Sequence, residues 1–402
     1  MSHPRISARL TGFGLTAIAT SVALLTACGG GGGASTSAPT ATYQSAYAAG
    51  PIAGFGSIVI NGVHYDETSA SVTDDDGASH LSSDLKLGMV AEVQAKDFGD
   101  TNNVKTATAQ SITISRLLRG PVGSVGTDTL VMFGQIVKLT STTWYDDSLS
   151  GGLTAIKAGD VVTVYGTLDT ATGIYTATRV EPRPGATYFG LRASVTAIDA
   201  VAHTISIGSG ASTTLIDVST ATLPAGLAAG ALVRIKLQTA QVNGKWVAVS
   251  VKSGLQAPRD VEHSEIEGTI TDFTSTSSFS VDGLPVDAGN AAFPDGSTGL
   301  AKGVRIEVEG AVVNGVLVAT TVKIESERKV QNAGVEIDGT ISAIDTVKST
   351  FVVRGKTINY AGAVTYAAGT VADLTLGARV EVHGARAADG TTMNATRIKF
   401  DH

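Results

Sequence analysis

Apolar and polar residues alternate with a period of two along most of the chain. In one segment near the carboxyl end, Val380 and Val382 alternate with Arg379, Glu381 and His383. Such alternation is typical of a strand with one face against a core and the other against water. Many segments of this kind, separated by glycine-containing turns, predict an all-β chain with little helix.

The alternating segments belong to an internal repeat. Five stretches align without gaps: LKLGMVAEVQA, IKAGDVVTVYG, LAAGALVRIKL, LAKGVRIEVEG and LTLGARVEVHG. Their shared glycines are spaced by 71, 71, 73 and 74 residues, at Gly88, Gly159, Gly230, Gly303 and Gly377. Each copy also opens with a small residue two positions before an aliphatic one, which we place at Gly56, Gly123, Ala193, Gly268 and Gly339. The chain is therefore predicted to contain five copies of one module.

Each module is predicted to form five short strands, with a longer connection between the third and the fourth. In the fifth copy the strands are EIDGTISAID, TFVVRG, KTINYA, ARVEVHGA and NATRIKF. Glycine turns before the last strand, at Gly244, Gly315 and Gly390, predict hairpins. This order matches a small OB-like β-barrel, whose closure protects the sheet edges, and a small sandwich is the alternative.

The first 27 residues are predicted to be a secretory signal peptide. Arg5 and Arg9 precede an apolar run from Leu10 to Thr26 that is short for a membrane span. The run ends in Leu-Thr-Ala-Cys, which resembles the bacterial lipobox. Cys28, the one cysteine of the chain, is therefore predicted to carry acyl chains as the first residue of the mature protein.

The segment after the cysteine begins with five glycines and has few bulky apolar residues, so it is predicted to be a flexible, disordered tether. Short polar or proline-containing links separate the modules. The expected organisation is a signal peptide at 1–27, a tether at 28–49, and modules at 50–116, 117–185, 186–257, 263–327 and 334–402. Modules of this size are marginal alone, so we expect separate barrels that pack at least partly on their neighbours.

The charge of the chain restricts its partners. Without the signal peptide, 27 basic residues face 36 acidic ones, a net charge of −9. Nucleic acid is disfavoured as a partner, because its binding depends on cationic surfaces that neutralise phosphates.

The catalytic and metal-binding patterns of the sequence favour no enzyme and no cofactor. The sequence has no GxSxG, SxxK or HExxH motif. His263, Glu265 and Glu267 alternate, so a strand would place these weak metal candidates on one face, but a polar strand edge is the favoured interpretation. The run Asp74–Asp76 is similarly interpreted as a charged turn rather than a Ca²⁺ site.

Two aromatic pairs could stack on sugar rings, although packing within or between modules is favoured. They are Trp144 with Tyr145, and Tyr188 with Phe189.

A family resemblance covers nearly all of the chain after residue 50. LRGPVGSV at residues 118–125, followed by FGQIVKL, AGDVVTVYG and YTATRV, resembles a tandem domain-of-unknown-function family of proteobacterial outer-membrane lipoproteins with OB-like β-barrel modules. The resemblance implies no catalytic residue. It also implies the outer membrane, because Gly29 stands where an aspartate would favour retention at the inner membrane.

The leading hypothesis is a non-enzymatic, lipid-anchored envelope lipoprotein that acts as a scaffold or binding array for an envelope protein or glycan. Matching outward positions differ between copies, as with Thr163, Arg234 and Glu307, which indicates surfaces with separate specificities. Two alternatives stay open: an envelope enzyme with an acidic site between modules, and an OB-type binder of oligonucleotides or oligosaccharides.

Overall fold

A computed structural model describes residues 42–101, 104–208, 212–254, 258–326 and 334–401. Within these ranges the chain consists of β-strands and turns, with short 3₁₀ segments such as Ser82–Asp84, Gly152–Ala155 and Val371–Asp373, and without an α-helix. None of the described helices has the length and apolar character needed to cross a membrane. The predicted signal peptide, Cys28 and the first part of the predicted tether lie outside the described residues.

The strands of the first three modules follow one another along the chain. Barrel 1 contains β1 (Thr42–Pro51), β2 (Gly54–Phe55), β3 (Ile58–Ile60), β4 (Val63–Asp66), β5 (Ser71–Asp74), β6 (Ser79–His80), β7 (Val90–Thr101) and β8 (Val104–Ser115). Barrel 2 contains β9 (Leu118–Val125), β10 (Thr129–Met132), β11 (Gln135–Tyr145), β12 (Val161–Asp169) and β13 (Ile174–Pro182). Barrel 3 contains β14 (Phe189–Asp199), β15 (Thr204–Ile207), β16 (Thr214–Asp217), β17 (Leu232–Leu237) and β18 (Trp246–Ser253).

The last two modules repeat this order. Barrel 4 contains β19 (Val261–Ser275), β20 (Ser278–Val281), β21 (Leu284–Asp287), β22 (Arg305–Val313) and β23 (Val316–Ile324). Barrel 5 contains β24 (Val335–Asp345), β25 (Thr350–Val353), β26 (Lys356–Asn359), β27 (Thr365–Ala367), β28 (Arg379–Arg386) and β29 (Met393–Asp401).

All five modules share one closed strand order. In barrel 2, β9 pairs antiparallel with β10 and with β12, β11 pairs parallel with β13, and β12 pairs antiparallel with β13. The order is therefore 1-2-3-5-4 and returns to 1, the arrangement of an OB-like barrel. Barrels 1, 3, 4 and 5 have the same pairings, with split strands in barrels 1 and 5. The predicted fold class is confirmed.

The repeated glycine of each module is required by its backbone conformation. Its φ lies between +79° and +92° in all five copies, a region that residues with a side chain rarely adopt. Its N–H donates to the carbonyl of an aliphatic residue on, or directly after, the first strand, pairing Gly88 with Ile52, Gly159 with Val122, Gly230 with Val195, Gly303 with Ile270 and Gly377 with Ile341. The glycine thus ties the third-to-fourth connection to the first strand.

The same bonds correct the repeat boundaries that the sequence suggested for the first two copies. Gly50 and Gly120, not Gly56 and Gly123, occupy the position of Ala193 in the third copy, because each pairs with the residue three places after the repeated glycine. A small residue followed by an aliphatic one occurs twice in these strands, and only the cross-strand register separates the two occurrences.

The structure also corrects part of the predicted tether. Residues 42–49 belong to β1, which pairs with β7 of its own barrel and with β19 of barrel 4. Ala46 and Ala48 are fully buried there. They pack in the core of barrel 1, whereas Tyr47 between them packs in the core of barrel 4, so the segment is ordered by filling two cores.

The barrels pack against one another instead of standing as separate beads. Besides closing on themselves, barrels 1, 4 and 5 share one continuous set of paired strands, and barrels 2 and 3 share another. The joints lie between first strands: β1 with β19, β2 with β24, and β9 with β14. The hydrophobic cores also cross between modules, since Trp144 of barrel 2 and Leu87 of barrel 1 pack in the core of barrel 5.

Candidate functional site

A cross-strand row of three side chains occurs at the same place in every barrel. It joins the first, fourth and fifth strand positions, beside the opening glycine or alanine. From barrel 1 to barrel 5 this charged row reads Ala49–Glu92–Thr113, Arg119–Thr163–Glu181, Arg192–Arg234–Lys252, Glu267–Glu307–Lys323 and Asp338–Glu381–Lys399. The backbone frame is constant, but barrels 1, 2 and 3 differ in charge from one another and from barrels 4 and 5, which share one pattern.

The charged row faces away from the core of its own barrel. In barrel 3, Val233 and Ile235 are buried in the core on either side of Arg234. Because successive side chains of a strand point to opposite faces, Arg234 points outward. The row is thus the place where barrels with similar interiors present different chemistry.

The rows of barrels 4 and 5 contain their own counter-ions. Lys323 Nζ lies 2.6 Å from Glu307 Oε1, and Lys399 Nζ lies 2.8 Å from Glu381 Oε2. Opposite charges on neighbouring strands stabilise a sheet, whereas like charges directly opposite destabilise it. Barrel 3 has the unfavourable arrangement, because its row consists of three cations.

The cationic row of barrel 3 lies against barrel 1. Arg192 Nη2 donates to Ser115 Oγ at 2.5 Å and lies 4.0 Å from Glu92 Oε1. Burial raises the pKa of Glu92, and the charges of Arg192 and Arg234 act against this rise. Burial lowers the pKa of Arg234, and the neighbouring Arg192 guanidinium lowers it further. One buried carboxyl group therefore faces two guanidinium groups.

Tyr188 lies at the centre of the cations around this junction. Its Oη accepts hydrogen bonds from Arg116 Nη1 at 2.8 Å and from Arg119 Nη1 at 2.7 Å. Lys236 Nζ lies 3.9 Å from the ring centroid, a cation–π contact. A cation thus covers the ring face of Tyr188 that could have stacked on a sugar. The neighbouring Phe189 is buried against Phe133 and Trp246.

The acidic run Asp74–Asp76 forms a turn that encloses Arg116. The guanidinium donates to Asp74 Oδ2 at 3.1 Å, to Asp76 Oδ2 at 2.6 Å and to Asp75 Oδ1. A guanidinium therefore stands where a Ca²⁺ ion would have to bind, in keeping with the interpretation of this run as a charged turn.

The structure brings together two of the three weak metal candidates. His263 Nε2 lies 3.3 Å from Glu265 Oε1, and the His263 ring stacks on Phe98 of barrel 1 with centroids 3.6 Å apart. Glu267 lies on the same strand but contacts Arg305 instead. The third carboxylate near His263 and Glu265 is Glu309 of β22, which the sequence did not single out.

Lys105 occupies the centre of this group. Its ammonium donates to Glu265 and lies 3.4 Å from Glu309 Oε1. Glu265 is fully buried between barrels 1 and 4. The donor set could hold a cation in principle, but a cation from barrel 1 is already there, so the group is best described as an ion pair between two barrels.

A second group of metal-type donors occurs in barrel 5. His383 Nε2 lies 2.6 Å from Glu381 Oε1, and Glu336 lies nearby. Lys399 again neutralises a carboxylate of the group. The alternation of Glu381 and His383 could have indicated this group from the sequence.

Trp144 and Tyr145 do not form an exposed ledge. Trp144 is buried in the core of barrel 5, and Tyr145 is buried in the core shared by barrels 2 and 3. The pair therefore serves packing between modules, as the sequence favoured.

Sequence reasoning missed most of the basic junction. Arg234 was noted as an outward residue, but Arg119, Arg192 and Lys252 were not. Each of these residues stands at a fixed position of the repeat. A comparison of the residues at equivalent positions in all five copies could therefore have revealed the three cations of barrel 3. That comparison needed the strand register, which the wrong placement of the opening residues in copies one and two obscured.

No curated protein matches this chain. The solved structure of drosophila Unr CSD456 is 15% identical, with coverage of 52% of this chain and 96% of that chain and a TM-score of 0.13. A family model described as a domain of unknown function (DUF5666) matches residues 119–181, 267–323 and 338–399, which lie in barrels 2, 4 and 5. These matches begin at Arg119, Glu267 and Asp338, the first residues of three charged rows, and the chain thus contains this domain of unknown function in three segments.

Proposed function

We propose that the chain is a non-enzymatic, lipid-anchored scaffold of the cell envelope whose barrels present separate binding faces. The observation that carries the proposal is the charged row, in which five barrels of one plan hold four different patterns of charge at equivalent positions. A constant frame with variable outward residues is what an array of binding sites requires.

The lipobox-like sequence supports attachment to a membrane. Acyl chains on Cys28 would contribute roughly 0.8 kcal/mol per buried CH₂, and two or three chains hold a protein firmly. Gly29 after the cysteine favours the outer membrane. The membrane would then be the first partner, and an envelope protein or a glycan the second.

The pairing of carboxylates at the barrel junctions supports a binding role over catalysis. Glu265 is paired with Lys105, and Asp74–Asp76 with Arg116. An envelope enzyme with an acidic site between barrels would need a carboxyl group free to act on a substrate in such a cleft. The junctions place cations against these carboxylates instead.

We expect Cys28→Ser to abolish membrane attachment. In a bacterial host that processes lipoproteins, the native protein should enter the detergent phase and yield an amino-terminal peptide that carries acyl mass. The variant should lose that mass and stay in the aqueous phase, while Ser35→Ala, a control in the same segment, should behave as the native protein does. Recovery of the native protein with an unmodified Cys28 thiol would refute the anchor.

Photo-cross-linking in intact cells tests the binding faces. A photoreactive residue in place of Lys252 or Lys399, both in charged rows, is expected to give discrete adducts with envelope components. The same residue in place of Val201 or Val347, which are more than nine-tenths exposed in turns away from the rows, should give none. Equal adduct patterns at all four positions would argue against binding faces at the rows.

A further inference from the structure

A cavity opens between barrels 2 and 3 at a position where a side chain is missing. Gly190 of β14 lies opposite Arg119 of β9 on one side and opposite Lys236 of β17 on the other. Directly paired residues of antiparallel strands point to the same face, so two cations flank an empty place. The cavity measures about 40 Å³. By this measure it holds about three water molecules, which leaves room for a group of a small anion.

The lining of this cavity is strongly cationic. Its basic side chains are those of Arg116, Arg119, Arg192, Arg234, Lys236 and Lys252. Its carboxylates are those of Asp75 and Asp76; both are engaged by Arg116, and Asp76 Oδ1 also lies 3.7 Å from Lys236 Nζ. The whole chain has a net charge of −7, so this concentration of positive charge runs against the overall balance.

Three of the cations form no salt bridge, although the carboxyl group of Glu92 acts on Arg234 electrostatically. Arg119 donates to Thr163 Oγ1 and to Tyr188 Oη, and Arg234 donates to the Ser253 carbonyl. Within the described part of the chain, neither these two arginines nor Lys252 forms an ion pair. Like charges held side by side with too few counter-ions weaken a sheet, and an anion bound from solution would reduce that cost.

We infer that this cavity binds an oxyanion of the phosphate class, either as a free ion or as part of a larger molecule. Guanidinium groups present paired N–H donors that match the oxygens of a phosphate, and the ammonium of Lys236 adds a further charge. The inference deepens the proposed binding array by naming the ligand of one face. It does not depend on Cys28, so its test and the test of the anchor can fail separately.

The test uses the purified protein and pyrophosphate as the probe, at constant ionic strength. Pyrophosphate should raise the midpoint of thermal denaturation in a saturable way, and equal ionic strength of chloride should not. Arg234→Gln should weaken the apparent affinity about 10- to 100-fold, the usual range for a hydrogen bond to a charged group. Without pyrophosphate the same variant should unfold at an equal or higher temperature, because the repulsion within the row is relieved.

Lys323→Gln is the matched control. Lys323 occupies the position of Lys252 in the row of barrel 4, but it is paired with Glu307. The control should leave the response to pyrophosphate unchanged. If it weakens the response as much as Arg234→Gln does, the effect comes from overall charge and the inference is wrong.

A second variant keeps every charge and fills the cavity. Gly190→Val adds a side chain that suits a strand, at a position where a Cβ would lie 3.3 Å from the Ile235 carbonyl oxygen. It should abolish the response to pyrophosphate in a folded protein. Retention of the full response by the folded variant would place the anion elsewhere and overturn the inference.

Two sources of the phosphate can be distinguished with vesicles. If the natural ligand is a lipid headgroup, protein lacking acyl chains should bind phosphatidylglycerol vesicles but not phosphatidylcholine vesicles, and Arg234→Gln should prevent this. If only pyrophosphate produces a response, the ligand is a soluble phosphate. Failure of both probes would refute the site.

Discussion

Replacement of Gly88 by alanine is expected to destabilise the protein by about 3 kcal/mol or more, the sum of a backbone cost and a steric cost. Gly88 has φ = +79°, which costs a residue with a side chain roughly 1–2 kcal/mol. An added Cβ would also lie 2.5 Å from the Thr178 carbonyl oxygen and 2.9 Å from the Trp144 ring. Both belong to barrel 2, so the change should separate barrels 1 and 2.

Gly159 provides a matched control for this prediction. It occupies the same place in barrel 2, with φ = +92°, but an added Cβ would meet no atom within 4 Å. Gly159→Ala should therefore cost only the backbone term, roughly 1–2 kcal/mol. Urea denaturation, followed by Trp144 fluorescence in a Trp246→Phe background, measures both variants. Equal losses would mean that Gly88 has no special role between the barrels.

Lys105→Met is expected to destabilise the joint between barrels 1 and 4 by about 3–5 kcal/mol, because it leaves a buried carboxylate without its partner. Glu265 is fully buried, and Lys105 is its cation from the other barrel. Addition of Glu265→Gln to the variant should recover most of the loss, since the uncompensated charge is then removed. Urea denaturation of the single and double variants measures this recovery.

Lys323→Met is the corresponding control. It removes a lysine from a cross-strand pair with Glu307 that is partly exposed and lies within one barrel. Such pairs typically contribute less than about 1 kcal/mol. If Lys105→Met lowers the free energy of unfolding no more than this control does, then Glu265 is not a buried, ionised carboxylate in the folded protein.

The acid sensitivity of the joint follows from Glu265. Burial favours its neutral form, but hydrogen bonds from His263 and Lys105 prevail and hold the pKa of Glu265 below its ordinary value of 4.5. A carboxyl group with a lowered pKa in the folded state stabilises fully above about pH 4.5, and this contribution is lost as the pH falls through the folded value. Glu265→Gln should therefore flatten the acid limb of the stability profile.

Local patterns in the sequence were sufficient to predict the barrels. The period-two alternation places Val380 and Val382 in a core, as the structure does. The spacing of the repeated glycines identified the five copies, because only glycine suits the positive φ that ties each third-to-fourth connection to the first strand. The charged turn at Asp74–Asp76 also followed from composition. These features depend on contacts within one module, which the pattern of that module encodes.

The sequence could not specify the contacts between modules. Residues 42–49 have few bulky apolar residues and resemble a tether, yet they form a strand because two barrels offer strand edges to them at once. Likewise, His263 and Glu265 were found by their alternation, whereas Lys105, which neutralises Glu265, is separated from it by 160 residues. No local pattern records which lysine reaches a given carboxylate.

By itself, the sequence determined the number of modules, their all-β character and their five strands, with an OB-like barrel favoured over a small sandwich, since these follow from periodicity and from the backbone requirements of a few glycines. The tertiary structure alone decided how the barrels join and which charges meet. Arg119, Gly190 and Lys236 form one cationic cavity only because β9 of barrel 2 pairs with β14 of barrel 3. The physical reason is that electrostatic interactions depend on distance in space, and here the register between two barrels sets that distance.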